Sequence, residues 1–266
     1  MEVHDFNLAI TLECGQTFRW HRTADGWFEG VVQGRLRRVR QSGGRLEGDV
    51  DPHYFALDVS LRDIAATFPP VPMLRTALRR YWGLRVLRQQ PWETLASFIL
   101  SSAKQIPQIQ QVVELLARRF GEPIGAVHFA FPTPQAIARA SRADLHACKV
   151  GFRAPYLQEA ARRVADGRLD LSRLALMEYQ RAKEELLKLP GVGEKIADCV
   201  LLFSCGHNQA FPVDVWMKRV LKRLKRKVCF GPYAGWAQQY LYHAERQRRQ
   251  ALHRRPKTRG HSLSFA

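Results

Sequence analysis

The reading of this chain turns on LPGVGEKIADC, residues 189–199. Helical patterns flank it, EYQRAKEELLKL before and IADCVLLFSC after, so Pro190, Gly191, Val192 and Gly193 leave room only for a tight helical hairpin. Glycines there adopt backbone conformations closed to other residues and let a phosphate come close to bare amides. The first amides of the following helix lack intrahelical partners and sit at the positive end of its dipole, which makes a backbone anion clamp. Taken alone, such a turn serves equally as a plain connector. Lys195 sharpens it, because an ammonium in the first turn of a helix opposes the dipole and asks for a reason. Cys199 is four residues further on and shares its face. Downstream comes FPVDVW, in which Asp214 leads into another helix. Asp214 is either an ordinary N-cap or a carboxylate aimed at a site, and the two roles are compatible.

Outward from this point, charge is the dominant feature. The 266 residues hold 42 Lys and Arg against 24 acids, a formal charge of +18. Such an excess calls for an anionic partner, and nucleic acid rewards dispersed cations with counterion release; solubility alone is the competing explanation. No apolar stretch approaches the roughly 20 residues that span a bilayer, and MEVHDFNLAI lacks the features of a secretion signal. A soluble intracellular protein is therefore expected. Cys14, Cys148, Cys199, Cys205 and Cys229 are odd in number, scattered and without a CxxC pair, so neither a disulfide framework nor a structural zinc is expected.

The predicted fold class is α+β. Short strands are expected at FRW (18–20), GWFEGVVQG (26–34), RLRRVRQ (35–41) and RLEGDV (45–50), turning at Gly43 and Gly44 into an antiparallel sheet. From about residue 59 the apolar spacing becomes three and four, and helices follow to the end. The expected division is a sheet domain with helices over 1–83, a helical subdomain over 84–188, a helix-hairpin-helix catalytic subdomain over 189–246 and a mobile basic tail over 247–266. In the run MKRVLKRLKRK (217–227), half of the cations line a solvated helix face and some reach phosphates.

LPGVGEKIADC followed by AFPVDVW resembles the helix-hairpin-helix and downstream aspartate of a DNA glycosylase superfamily. ECGQTFRW (13–20), YFALDVSL (54–61), LRQQPWETLASFILSS (87–102), GFRAPYLQEAARRV (151–164) and GPYAGWAQQYLYHAE (231–245) resemble segments of its 8-oxoguanine DNA glycosylase branch, in the same order. The resemblance implies an enzyme that excises oxidised guanine from duplex DNA through Lys195, with Asp214 stabilising positive charge on the sugar. Base recognition falls on the Gly15 carbonyl, Cys199, Gln238 and Tyr242. DNA binding falls on Gly191, Val192 and Gly193, on Phe152 and Arg153, and on Gln105 and Gln108. No cofactor, metal or iron–sulfur cluster is implied, the partner is double-stranded DNA without any membrane, and a monomer is expected.

The chain also departs from the family pattern. Ala103 stands where an asparagine run begins in the eukaryotic enzymes, and Gln108 replaces an arginine that contacts the orphaned cytosine, so weaker preference for cytosine opposite the lesion is expected. Phe152 stands where a tyrosine wedge is usual, and either ring can intercalate. Trp216 replaces a histidine, and a packed indole is its expected role. The pattern is that of a bacterial member. A glycosylase for alkylated bases, which activates water instead, does not account for Lys195. A non-catalytic hairpin protein does not account for Lys195, Asp214, Gly15 and Gln238 together.

Overall fold

A computed structural model describes residues 1–224 and 228–254 of the chain. Helix α1 (Leu8–Glu13) precedes strands β1 (Trp20–Arg22), β2 (Phe28–Val32), β3 (Arg35–Ser42) and β4 (Arg45–Gly48). Then come α2 (Leu61–Ala66), α3 (Pro72–Arg80), α4 (Pro91–Leu100), α5 (Ile106–Phe120), the small hairpin β5 (Pro123–Ile124) and β6 (His128–Phe129), α6 (Pro134–Arg139) and α7 (Arg142–Ala147). The remaining helices are α8 (Ala154–Ala165), α9 (Tyr179–Leu187), α10 (Glu194–Ser204), α11 (Val215–Leu224) and α12 (Ala234–Arg254).

The first four strands form an antiparallel meander in sequence order, as expected from their alternation. Gln33 and Gly34 both have positive φ, 52° and 69°, so the β2–β3 turn twists in the sense that matches its strands. Phe28, Val39 and Leu46 bury one face against Leu8, Leu12, Tyr54 and Phe55, and Trp20 Nε1 donates to Tyr54 Oη at 2.9 Å. Two elements depart from the sequence reading. Residues 8–13 form a helix capped by Asn7, whose Oδ1 accepts from Ile10 N at 3.0 Å; six residues are too short for a helical period to register. A second, two-stranded hairpin interrupts the helical half.

Helices α4 and α10 pack together in the middle of the largest core, where Leu95, Ile99, Ala197, Val200 and Leu201 are buried. Pro72 and Pro91 open α3 and α4 at positions where the missing amide hydrogen costs nothing. A third core joins α3, α11 and α12 through Leu74, Ala77, Met217, Val220, Tyr240 and Leu241. The last helix therefore packs back onto the segment before residue 83, and α3 shares buried side chains with α11 and α12. The basic stretch from residue 247 continues α12 as far as Arg254. The remainder of that expected tail, and Lys225, Arg226 and Lys227 of the basic run, lie outside the described residues.

Candidate active site and DNA interface

Helix α10 places Lys195 and Cys199 one turn apart, and α11 carries Asp214 at its start. Lys195 and Asp214 line one open cleft of about 1700 Å3, together with Gly15, Phe98, Ser101, Trp216, Tyr242 and the 102–110 segment. Cys199 is buried just behind that wall, and burial pushes its thiol up to about 11. The Lys195 charge opposes that shift and the Asp214 carboxylate adds to it, so one sulfur senses both groups. Lys195 Nζ donates to Ser101 Oγ at 3.3 Å and lies 4.7 Å from the centre of the Phe98 ring. Asp214 Oδ1 accepts from Trp216 N at 2.9 Å and Met217 N at 2.8 Å. The carboxylate is thus an N-cap and a cleft group at once, which joins the two roles its sequence context left open.

Gly15 adopts φ +93°, and a Cβ there would come within 2.6 Å of Ile106 Cδ1 and 3.5 Å of Tyr242 Oη. Its loop is held by Gln16, a residue the sequence did not single out. Gln16 Nε2 donates to Thr11 O at 2.9 Å and Arg85 O at 2.8 Å, while its Oε1 accepts from Leu87 N at 2.9 Å. An amide with both ends satisfied in the interior fixes the loop against the strap that leads into α4. On α12, burial pushes the Tyr242 hydroxyl up to about 12, with the Arg246 charge opposing the shift and the Asp214 carboxylate adding to it. Gln238 is 3% exposed. Its Nε2 donates to Pro212 O at 2.9 Å, and its Oε1 is buried without a partner among the described residues. His243 is also buried on the cleft side of α12, edge-on to Tyr81 at 4.6 Å between ring centres.

The hairpin glycines behave differently from each other. Gly191 has φ +78°, and its Cα faces the Tyr156 ring so closely that a Cβ would come within 2.5 Å. Gly193 has φ −99° and would carry a Cβ into open space. Val192 is buried, and Gly193 O accepts the first intrahelical bonds of α10 from Ile196 N and Ala197 N. Behind the hairpin, Tyr179 Oη donates to Asp198 Oδ1 at 2.7 Å and Lys183 pairs with both Asp198 and Glu194. This buttress left no mark on the sequence pattern, because its four residues come from two helices.

Phe152 is 65% exposed, at the turn that opens α8, and the Arg153 guanidinium stacks on its ring at 4.1 Å. Arg153 itself is 5% exposed and its Nε is buried without a partner among the described residues. Its charge reaches Lys104 on the cleft wall, whose ammonium is held below its usual range by burial and then by Arg153. Gln108, the arginine substitute, accepts from Gln105 N through Oε1 at 2.9 Å and so caps α5, with both glutamines on the cleft wall. Ala103 takes φ +55°, a conformation that costs a β-carbon residue about 1 kcal/mol. Trp216 is half-buried on the cleft wall, with Arg219 stacked 5.0 Å over its indole.

A helical hairpin with a lysine and a carboxylate facing one cleft marks a class, and residues 96–227 match the family model for a HhH-GPD superfamily base excision DNA repair protein. Residues 1–95 match that for the N-terminal domain of 8-oxoguanine DNA glycosylase. The chain belongs to the 8-oxoguanine DNA glycosylase family. It is 29% identical to the N-glycosylase/DNA lyase OGG1 of Arabidopsis thaliana over 91% of this chain and 78% of the relative. With a probable N-glycosylase/DNA lyase of Methanothermobacter thermautotrophicus it shares 30% identity, over 84% of this chain and 83% of that one. The 8-oxoguanine glycosylase/lyase of Clostridium acetobutylicum, solved with double-stranded DNA containing cytosine opposite 8-oxoguanine, superposes with a TM-score of 0.86 at 32% identity, covering 92% and 93% of the two chains. Gln238 and Tyr242 lie beyond both model matches. Among the described residues no helix is long and apolar enough to cross a membrane.

Proposed function

We propose that this protein removes 8-oxoguanine from duplex DNA inside the cell and then cuts the strand at the vacated sugar, with Lys195 as nucleophile and Asp214 as the stabilising carboxylate. The observation that supports this most directly is the shared cleft of Lys195 and Asp214. The target nucleotide leaves the stack, since its glycosidic bond is out of reach within it. Neutral Lys195 Nζ bonds to C1′ as the glycosidic bond breaks, and the departing base takes its electron pair and a proton. The sugar C1′–O4′ bond then opens to give an imine between Nζ and C1′. Loss of a C2′ proton expels the 3′ phosphate, and water releases the lysine. Asp214 offers a fixed negative charge as positive charge builds on the sugar.

Recognition follows from the same wall. The Gly15 carbonyl accepts the N7 hydrogen that normal guanine lacks, and a normal base leaves that acceptor unpaired. Gln238 Oε1, without a partner among the described residues, accepts donors of the pairing edge. Cys199 and Tyr242 close on the two faces of the base. The hairpin amides of 191–193 hold the backbone, and Phe152 with Arg153 fills the gap.

Borohydride trapping on 8-oxoguanine duplex tests the nucleophile. The parent gives a covalent adduct, whereas Lys195→Gln binds the duplex but neither releases base nor is trapped; an adduct with Lys195→Gln refutes the assignment. Asp214→Asn keeps an acceptor for the α11 amides, so it is expected to lose 10²–10³-fold in base release with little change in melting temperature. A fully active Asn variant refutes the electrostatic role. Because Gln108 is engaged in capping and Ala103 has no side-chain amide, excision opposite cytosine and opposite at least one other base is expected at comparable rates. Single-turnover rates against the four opposite bases decide it, and a cytosine preference above about a hundredfold overturns it.

A further inference from the structure

Resting on Lys195 as the nucleophile, we infer that Ser101 is a positioning residue that aims the attacking amine, with the Phe98 ring as the floor of its cradle. Ser101 stands at the C-terminal end of α4 and Lys195 in the first turn of α10, and these two helices are packed side by side. Ser101 Oγ donates its one hydrogen to Phe98 O at 2.7 Å. Only its lone pairs are then left for Lys195 Nζ, 3.3 Å away, so towards the lysine the hydroxyl acts solely as an acceptor. The Phe98 ring approaches the same nitrogen from another side at 4.7 Å, and that ring is itself held between Phe18 and Phe203. The third neighbour, the Cys199 thiol, stays protonated in its buried site.

Lys195 is therefore gripped by a hydroxyl oxygen, a ring face and a thiol, all neutral. Among the described residues it forms no ion pair within 4.0 Å, although Asp214 shares its cleft. This distinction matters for a nucleophile. A carboxylate clamp would hold the ammonium and withhold the lone pair, whereas a neutral acceptor binds one N–H of either the ammonium or the amine. Once Nζ is neutral, the bond to Ser101 fixes one of its two hydrogens and with it the directions open to the lone pair. The amine is then presented to the cleft rather than free to rotate, and reaction rates fall steeply when the attacking atom loses its alignment.

The test is single-turnover base release and borohydride trapping on 8-oxoguanine duplex for Ser101→Ala and Ser101→Thr, with duplex affinity and melting temperature measured alongside. Thr keeps the oxygen that Ala lacks. The expected result is a loss of threefold or more in both base release and trapping for Ser101→Ala, affinity within twofold of the parent, and recovery in Ser101→Thr. A loss below threefold in Ser101→Ala overturns the inference, as does a loss that Ser101→Thr fails to restore or one matched by an equal loss of affinity. The Lys195→Gln control separates the two levels. If that variant still releases base, the nucleophile reading falls; if it is inactive while Ser101→Ala keeps the parent rate, only the role of Ser101 falls.

Discussion

His243 is a neutral imidazole in a protein of formal charge +18. Burial first, then the charges of Arg246 and Arg80, depress its protonated form to about 4 from an ordinary 6.5. Its Nδ1 is buried without a partner among the described residues, so neutrality comes from desolvation rather than from a specific acceptor. Between pH 6.5 and 4 the unfolded chain binds a proton at this residue that the folded chain refuses. Stability from this group is therefore complete above 6.5 and is lost as pH falls, by up to about 3 kcal/mol at pH 4. His243→Phe keeps a ring against Tyr81 and removes the titration. The stability of the variant relative to the parent should rise steadily as pH falls from 6.5 to 4 in denaturant titrations, and a constant difference refutes it. Not every site residue was legible to the same degree. Lys195 and Asp214 stood out because their residue types conflict with, or exceed, what a helix start requires. Gln16, Ser101 and His243 gave no such signal, since a buried glutamine, a helix-end serine and a helical histidine look ordinary until their partners are known.

At the scale of elements, the hairpin joins two kinds of glycine. Gly191 is required by the fold: its φ of +78° and the Tyr156 ring at 2.5 Å from any Cβ both oppose a side chain. Gly193 is free to accept one as far as the fold is concerned, because its φ of −99° is ordinary and a Cβ would meet nothing within 4 Å. Gly191→Ala is thus expected to lose about 1–3 kcal/mol in stability. Gly193→Ala is expected to melt within a few degrees of the parent yet to bind damaged and undamaged duplex equally more weakly, because its methyl group stands where a phosphate approaches the amides. Thermal melts with gel-shift titrations measure both. Unchanged duplex affinity in Gly193→Ala would remove the hairpin from the interface. The element types here followed from period and punctuation over long segments. The short α1 and the β5–β6 hairpin escaped because six residues and two residues carry too little pattern, and tertiary packing decides such segments.

Across the whole molecule, the charge is unevenly arranged around the cleft. Glu245, a buried carboxylate on α12, pairs with Arg223, Arg248 and Arg249, three cations on one acid. Lys218 and Arg249 continue that positive side onto the cleft wall. An interface of this kind binds the backbone through counterion release, with a salt slope of about −0.9 per phosphate neutralised. Lys218 is exposed, so Lys218→Gln should weaken binding to lesion and undamaged duplex alike and reduce the slope by about 1. Affinity measured from low to physiological salt checks this, and a loss confined to lesion-bearing duplex refutes it. Helix α12 returns to α3, so the last described helix and α11 are braced by a segment that precedes residue 83.

What the linear order of residues determined was the family, the hairpin, the unusual lysine at its helix start and the anionic partner, because these depend on residue type, short spacing and net charge. Only the tertiary structure decided that Asp214 caps a helix while facing the cleft, that Gln108 is engaged in capping α5, and that Ser101 reaches across from α4 to Lys195. Those facts rest on contacts between residues far apart in the chain, here 94 positions for Ser101 and Lys195, or on the choice a polar side chain makes among several nearby partners. Neither is written in local period or composition; both emerge when packing brings the groups within hydrogen-bond reach.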